Sequence, residues 1–252
     1  MSINQEIKKQ ILEYIKQPIP QNAAMPIVEK SIPVPFFGDI EKARIVTISL
    51  NPSNLEFENK WGLLSKSKKR FVDRDLLGVE DSSTLDETQA NQVYDSLKNY
   101  FHNSNAYTDW FDKLEEFAGK IFHSSYYDGS MVNMDIYPWA TQQKWKDLRS
   151  KDKNRALREY SLLKNILLNK DCCFDYVFLN GKGVKKYLET LGIKIKEELV
   201  TGTKTQSNHQ RFIYHQTLEN KVKLIGFSCY IQNSYESNDY LSEVRDILVQ
   251  RL

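Results

Sequence analysis

The sequence predicts an α/β fold, namely a three-layer α/β/α sandwich with a central, mostly parallel sheet of four to five strands. Short apolar runs typical of buried strands alternate along the chain with longer segments whose apolar residues recur at helical spacing. Strands separated by helices favour a mostly parallel sheet that is covered by helices. The length of 252 residues fits a single domain with a sizeable core. We therefore expect one domain over residues 1–252, with a helical and extended lead at 1–32 and a long insertion at 54–89.

Apolar stripes such as Ile7, Ile11 and Ile15 indicate the helices, and short apolar or alternating runs indicate the strands. Pro18 ends the first helix and Pro52 the first strand. The last two strands form either a hairpin or two successive strands. In chain order we expect a helix at 3–15, a strand at 44–50, helices at 92–101 and 110–122 (the latter capped by Thr108), a strand at 130–136, a helix at 155–168, a strand at 176–179, a helix at 184–191, strands at 211–216 and 221–227, and a helix at 240–252.

Composition excludes several classes of protein. The net charge is +2 and 27% of the residues are charged, so the whole molecule is no polycation. Three cysteines, two of them adjacent, exclude a four-cysteine iron–sulfur cluster supplied by this chain. No apolar stretch approaches the ~20 residues of a membrane span, and the N-terminus does not resemble a signal peptide. We expect a cytoplasmic monomer without a cofactor. We also expect no bound metal, since the four histidines show no metal-ligand spacing.

Two basic runs could bind a polyanion. Residues 60–74 and 144–158 interleave lysines and arginines with aromatic residues, a combination that suits phosphate contact and base stacking. Each run could equally be a solvated helix face.

Polar residues also stand at the predicted strand ends. Asn51 follows the first strand in Leu-Asn-Pro-Ser, and Asn133 and Asp135 lie near the end of the second. In open α/β folds, ligands bind at the carboxyl ends of the strands. Asn51 could instead start a turn, and Asp135 could accept backbone hydrogen bonds. Asn180 and Gly181 begin a Gly-rich turn without P-loop or dinucleotide-binding spacing.

These motifs together resemble those of the uracil-DNA glycosylase superfamily. The resemblance rests on the Pro-Phe-Phe-Gly-Asp lead at 35–39, on Leu-Asn-Pro-Ser at 50–53, on Asp-Ile-Tyr-Pro at 135–138 and on Ser228, and it follows the order of elements over about residues 33–240. It implies that Asn51 positions the attacking water. It further implies that Phe57, with Trp61 in reserve, stacks on a flipped base.

The chain departs from the family pattern at two places. The family's second strand commonly ends in an asparagine that reads the pyrimidine edge, and Asp135 stands there instead. A carboxylate accepts a hydrogen bond from the amine of cytosine but is repelled by O4 of uracil, which predicts a preference for cytosine or a modified cytosine. The family's final motif has a histidine donor, whereas this chain has Ser228-Cys229-Tyr230. Loss of such a donor typically costs ~3 kcal/mol of transition-state stabilisation.

The resemblance implies a DNA glycosylase that flips a pyrimidine and leaves an abasic site. A catalytically silent DNA-binding module of the same fold and a hydrolase of free nucleosides remain as alternatives, as do roles in DNA repair and in defence against phage DNA. The implied site residues are Asn51 and Ser228 for catalysis; Phe57, Asn133, Asp135 and Tyr137 for base binding; and Ser53, Lys68, Lys69, Arg70, Lys144, Lys146, Lys182, Tyr230 and Tyr235 for DNA binding, with either of the last two as the wedge that fills the gap left by the base.

Overall fold

The computed structural model describes residues 5–21, 25–200, 210–234 and 236–252. In these parts of the chain, nine strands form a large sheet of seven strands and a separate two-stranded hairpin. The strands are β1 (Phe36–Phe37), β2 (Ile45–Ser49), β3 (Glu58–Asn59), β4 (Gly62–Leu63), β5 (Met131–Asp135), β6 (Tyr176–Asn180), β7 (Lys196–Leu199), β8 (Phe212–Thr217) and β9 (Lys223–Phe227).

The order of the large sheet is β1-β5-β2-β6-β9-β8-β7. Its four central strands, β5, β2, β6 and β9, are parallel to one another. On one side β1 runs antiparallel to them, and on the other β8 does so and pairs antiparallel with the edge strand β7. The mixed α/β class and the mostly parallel centre are therefore confirmed. The described residues contain seven sheet strands rather than four to five, because β1 is only two residues long and the charged β7 carries no apolar strand signal. The hairpin alternative is the one observed for β8 and β9.

Nine α-helices are described around the sheet. They are α1 (Gln5–Ile15), α2 (Arg74–Leu77), α3 (Glu87–Lys98), α4 (Thr108–Leu114), α5 (Lys120–Phe122), α6 (Ser150–Glu159), α7 (Leu162–Leu167), α8 (Lys182–Thr190) and α9 (Asn238–Val249). Helix α1 packs against α3 and α7, and α5 packs against α9. A π-helical turn, Glu115–Gly119, joins α4 to α5. Within the described residues, no helix combines the length and the apolar character that crossing a bilayer requires.

Several helix predictions were wrong in detail. Helix α3 spans Glu87–Lys98 rather than 92–101. Thr108 is the first residue of α4 rather than its cap, and Tyr107 precedes the helix without a side-chain cap. The helix predicted over 155–168 is two helices, because Tyr160 is extended at φ −117° and ψ 111°. This break places the Tyr160 ring edge-on to Tyr14 and Tyr137, with centroids 5.7 and 5.0 Å apart. Aromatic packing thus overrides the helical pattern at this point.

The 54–89 insertion has more local structure than its polar sequence indicates. It contains a 3₁₀ turn at Asn54–Glu56, the β3–β4 hairpin, α2 and the first residues of α3. The insertion buries the rings of Phe57 and Phe71, whose centroids lie 5.0 Å apart. Phe71 also packs near Phe37 and Tyr100, with centroids 6.5 and 6.1 Å away. The insertion is thereby attached to the core beside the carboxyl end of β2.

Candidate functional site

A row of polar side chains crosses the carboxyl edge of the parallel strands. Ser49 of β2 pairs with Asp135 of β5. Ile48 pairs with Leu179 of β6, so the next residue, Asn180, lies beside Ser49. Residues paired between parallel strands point to the same face of the sheet. Asp135, Ser49 and Asn180 therefore project from one face at the same level.

The ends of β2 and β5 are held together beyond the last paired residues. Ile136 N donates to Ser49 O at 3.1 Å, and Tyr137 N donates to Leu50 O at 2.9 Å. Asn51 follows directly after this contact. The structure therefore brings Asn51 and Asp135 to the same edge of the sheet, as the sequence predicted.

Asp135 is only 6% exposed, and its Oδ1 has no hydrogen-bond partner within the described residues. Burial raises the pKa of this carboxyl well above its usual range, and the nearby Glu56 raises it further. A hydrogen bond from the Asn133 side chain lowers the same pKa, but its effect is smaller. The neutral acid is thus favoured over a much wider pH range than for an ordinary aspartate.

Asn133 is a buried link between β2 and Asp135. Its Oδ1 accepts hydrogen bonds from Thr47 Oγ1 and Ser49 Oγ, both at 3.0 Å. The Thr47 hydroxyl also lies 2.5 Å from the Tyr126 hydroxyl. Asn133 is 1% exposed. In this structure it therefore contacts Asp135 through a hydrogen bond inside the protein and not a ligand at the surface.

Glu56 is a second buried carboxyl that the sequence analysis missed. It ends the 3₁₀ turn Asn54–Glu56, which begins where Ser53 Oγ accepts a hydrogen bond from Leu55 N at 3.2 Å. Glu56 Oε2 accepts from the Tyr100 hydroxyl at 2.7 Å and lies 3.8 Å from Arg70 Nε. Burial raises the pKa of Glu56 to about 7, although both partners act to lower it.

Two buried carboxyls with raised pKa values that interact electrostatically are more typical of functional sites than of structural ion pairs. No sequence signal marks Glu56 as buried, because the insertion that carries it shows no periodicity.

Asn51 is half-buried and holds the segment after β5. Its Nδ2 donates to Pro52 O at 3.0 Å, to Thr141 Oγ1 at 3.3 Å and, at the limit of 3.5 Å, to Trp139 O. In the described part of the chain, its Oδ1 accepts no hydrogen bond. The side chain thus has a structural use for its donor and a free acceptor with which to hold a water.

Tyr230 points into the molecule at this edge. Gly181 has a φ of +95°, and a Cβ placed on it would lie 2.5 Å from Tyr230 Cδ2. Burial and the nearby Asp135 raise the pKa of the Tyr230 hydroxyl, while a hydrogen bond to the Leu50 backbone lowers it. Tyr230 therefore lies over the end of β2, beside Asp135, rather than projecting as an exposed wedge. Tyr235, the other predicted wedge, lies outside the described residues.

Ser228 and Gln232 continue this edge beyond β9. Ser228 Oγ accepts from Phe212 N at 2.9 Å, which keeps the hydroxyl beside β8. Gln232 Oε1 accepts from Asn180 Nδ2 at 2.7 Å, and Ile231 N donates to Asn180 Oδ1 at 3.0 Å. Like Glu56, Gln232 was not predicted as a site residue.

The predicted base-stacking rings are buried in the core. Phe57 is 1% exposed and meets Phe71 edge-on. Tyr137 is 2% exposed, and its ring lies 5.0 Å from Tyr160 and 5.6 Å from Trp145 between centroids. In this structure neither ring presents a free face to a ligand. Trp61, at the tip of the β3–β4 hairpin, is 82% exposed, and Lys60 Nζ lies 4.3 Å from its ring centroid.

The predicted phosphate contacts divide into internal and exposed residues. Lys69 is buried between Asp73 and Asp75, with Nζ–Oδ2 distances of 2.5 and 3.3 Å. Arg70 donates to the carbonyl of Leu55 at 3.2 Å and to that of Asn105. The exposed residues of the predicted set are Lys68, Lys144, Lys146 and Lys182. Internal pairing explains the difference, since the sequence does not reveal which basic residues lie beside an acid.

A surface cavity of about 410 Å³ lies between residues 66–72 and 96–103. Its Arg70 and Asn103 side chains donate to backbone carbonyls. The described residues contain no cluster of three potential metal-ligating side chains.

Comparisons of the chain with protein-family models, with curated proteins and with solved structures found no match.

Proposed function

We propose that the protein is a DNA glycosylase of the uracil-DNA glycosylase type, which hydrolyses the N-glycosidic bond of a flipped pyrimidine. The observation that carries the proposal is the convergence of Asn51 and the buried Asp135, whose Oδ1 has no hydrogen-bond partner among the described residues, at the paired ends of β2 and β5. The relationship also implies helices on both faces of the sheet, in three layers. Because ligands of open α/β sheets meet the carboxyl ends of the strands, this edge is where a flipped base would bind.

In the proposed reaction, water adds to C1′ of the deoxyribose and the bond from C1′ to the base breaks. The electron pair of that bond leaves with the base, which takes up a proton, and the DNA retains an abasic site. Asn51 Oδ1 would accept a hydrogen bond from the attacking water and orient it, while Nδ2 keeps the side chain fixed through Thr141. Holding a water in position in this way lowers the entropic part of the barrier.

Asp135 would read the pyrimidine edge, and its protonation decides what it can read. An ionised carboxylate only accepts hydrogen bonds, which suits the N4 amine of cytosine and is repelled by O4 of uracil. A neutral carboxylic acid presents one donor and one acceptor, which suits N3 and N4 of cytosine but also O4 and N3–H of uracil. The raised pKa of Asp135 therefore makes the preference for cytosine depend on pH.

The DNA would lie across the exposed basic residues and the hairpin. Lys68, Lys144, Lys146 and Lys182 are available to phosphates, and Trp61 is available for stacking. Stacking of a base on an aromatic ring contributes ~1–3 kcal/mol.

The internal pairing of Lys69 and Arg70 makes the basic surface smaller than the sequence indicated. This observation favours, as a second candidate, a hydrolase that acts on free nucleosides with the same site.

The test is a panel of oligonucleotides bearing uracil, mismatches and modified cytosines, scored for alkali-labile breaks at abasic sites. We expect Asn51→Ala to abolish release of the base and Asn51→Asp, which keeps an oxygen for the water, to retain it. Asn91→Ala, on the outer side of α3, is the matched control. Salt-dependent DNA binding without breaks would replace the proposal with a silent binding module. Hydrolysis of nucleosides without DNA binding would replace it with the second candidate.

A further inference from the structure

Two buried side chains at the carboxyl edge of the sheet each keep one polar atom without a partner among the described residues. They are Asp135 Oδ1 and Gln232 Nε2, in residues that are 6% and 5% exposed. A buried polar group without a hydrogen bond costs ~1–3 kcal/mol, so such groups are rare in native proteins. Their presence at one edge indicates a binding site.

The orientation of the Gln232 amide follows from the backbone. Ile231 N can only donate, so the atom of Asn180 that it meets at 3.0 Å is the oxygen. Asn180 then presents Nδ2 to Gln232 at 2.7 Å, and the atom of Gln232 that meets it is Oε1. The Gln232 Nε2 group is consequently directed away from Asn180. The segment is also held from outside, because Lys113 Nζ donates to Gln232 O at 3.2 Å.

A second chain of hydrogen bonds ends on Asp135. Hydroxyl groups of Thr47 and Ser49 donate to Asn133 Oδ1, which leaves the Asn133 amide nitrogen to face Asp135. The Asp135 carboxyl is thereby fixed on one side and free on the other. Two fixed networks thus support two unpartnered atoms, one on a carboxyl group and one an amide donor.

The two networks are separated by one strand of the sheet. Neighbouring strands lie ~4.8 Å apart, and β2 separates β5 from β6, so the backbones at Asp135 and Asn180 are roughly 10 Å apart. Polar side chains that project from the same face of these strand ends can contact opposite edges of one small planar ring. Tyr230 lies beside Asp135 and against Gly181, so a ring bound at this edge would displace it.

We propose that Gln232 is a second recognition residue, whose Nε2 donates a hydrogen bond to a carbonyl oxygen of a pyrimidine-like ring while Asp135 meets the opposite edge. Asn180 is its positioning residue. The inference deepens the proposed function, on which it rests for the identity of the ring as a flipped base. In that setting, the Gln232 donor faces the carbonyl that becomes negative as the base leaves, where a fixed donor is most effective.

Binding of free cytosine and of free uracil, measured by calorimetry, tests the inference without DNA. We expect saturable binding to the wild type that weakens at least tenfold in Gln232→Leu and is unchanged in the control Gln250→Leu, at an exposed helix end. Gln232→Glu retains the acceptor for Asn180 and removes the donor, so it should also lose binding; it replaces the leucine variant should that one fail to fold. Undiminished binding in both Gln232 variants, or no binding to the wild type, would overturn the inference.

The positioning role of Asn180 is tested by a double-mutant cycle. Asn180→Asp keeps the acceptor for Ile231 N and removes the donor to Gln232, so it should weaken base binding on its own. Combined with Gln232→Leu, it should add little further loss, because both changes remove the same interaction. Fully additive losses would show that Asn180 does not act through Gln232.

Failure of this inference is distinguishable from failure of the proposed function. Base release from DNA that is unaffected in Gln232→Leu would leave the glycosylase proposal standing and remove Gln232 from the site. Binding of free bases that requires Gln232, without any release from DNA, would support the role of Gln232 and remove the glycosylase proposal.

Discussion

Replacement of Glu56 by glutamine should stabilise the protein above neutral pH. The pKa of Glu56 is raised from 4.5 to about 7 in the folded protein, chiefly by burial. Below pH 4.5 the group is protonated in both the folded and the unfolded state. As the pH rises to 7, the unfolded state ionises first, so the folded state binds more protons and the free energy of unfolding falls. The difference between the two pKa values corresponds to about 3 kcal/mol in the free energy of unfolding, since each unit of pKa contributes ~1.4 kcal/mol.

Urea denaturation of the wild type and of Glu56→Gln between pH 4 and 8.5 measures this effect. The amide imitates the neutral acid and can accept the hydrogen bond from the Tyr100 hydroxyl, so the two proteins should be similar at pH 4 and differ by about 3 kcal/mol at pH 8. Glu219→Gln, at an exposed residue of the β8–β9 turn, should follow the wild type throughout. Equal stability of wild type and Glu56→Gln at pH 8 would refute the argument that burial of the ionised Glu56 carboxyl lowers the free energy of unfolding.

Three further predictions concern Asp135, the exposed Trp61 and the turn at Gly181. Asp135→Asn presents both a donor and an acceptor at every pH, so its ratio of uracil to cytosine release should be independent of pH, whereas that of the wild type should fall as the pH rises. Trp61→Ala should weaken binding of single-stranded DNA by ~1–3 kcal/mol in a fluorescence titration and leave the urea midpoint unchanged, because the ring is 82% exposed. Gly181→Ala should lower the free energy of unfolding more than Gly192→Ala does: both glycines have positive φ, but only the first would place a Cβ against Tyr230.

The sequence predicted the two strand ends that carry the proposal because their signals are local. The apolar run before Asn51 and the alternation around Asn133 and Asp135 fix where the side chains point. Proline after each strand marks where the strand stops. These signals do not depend on contacts with distant parts of the chain. The parallel pairing that brings Asn51 and Asp135 together then follows from the helices between β2 and β5.

The residues whose burial or pairing was not predicted from the sequence are those whose contacts depend on the folded arrangement of the chain. Glu56 is buried because Tyr100 and Arg70 close over it, and nothing in its neighbourhood indicates this. Lys69 has the same local pattern as an exposed basic residue, but Asp73 lies four residues later on the same side. Charge patterns thus identify where basic residues cluster, while the structure decides whether a phosphate or an internal carboxylate is their partner.

The two buried carboxyls should be considered together. Glu56 raises the pKa of Asp135 through its negative charge, so protonation of Glu56 near pH 7 makes ionisation of Asp135 less costly. A ligand that donates to Asp135, as the amine of cytosine does, favours the ionised form of Asp135 and therefore the neutral form of Glu56. A ligand that accepts from Asp135, as O4 of uracil does, favours the opposite distribution. In the proposed reaction, the preferred base therefore depends on whether the proton is held by Asp135, at the end of β5, or by Glu56, in the insertion.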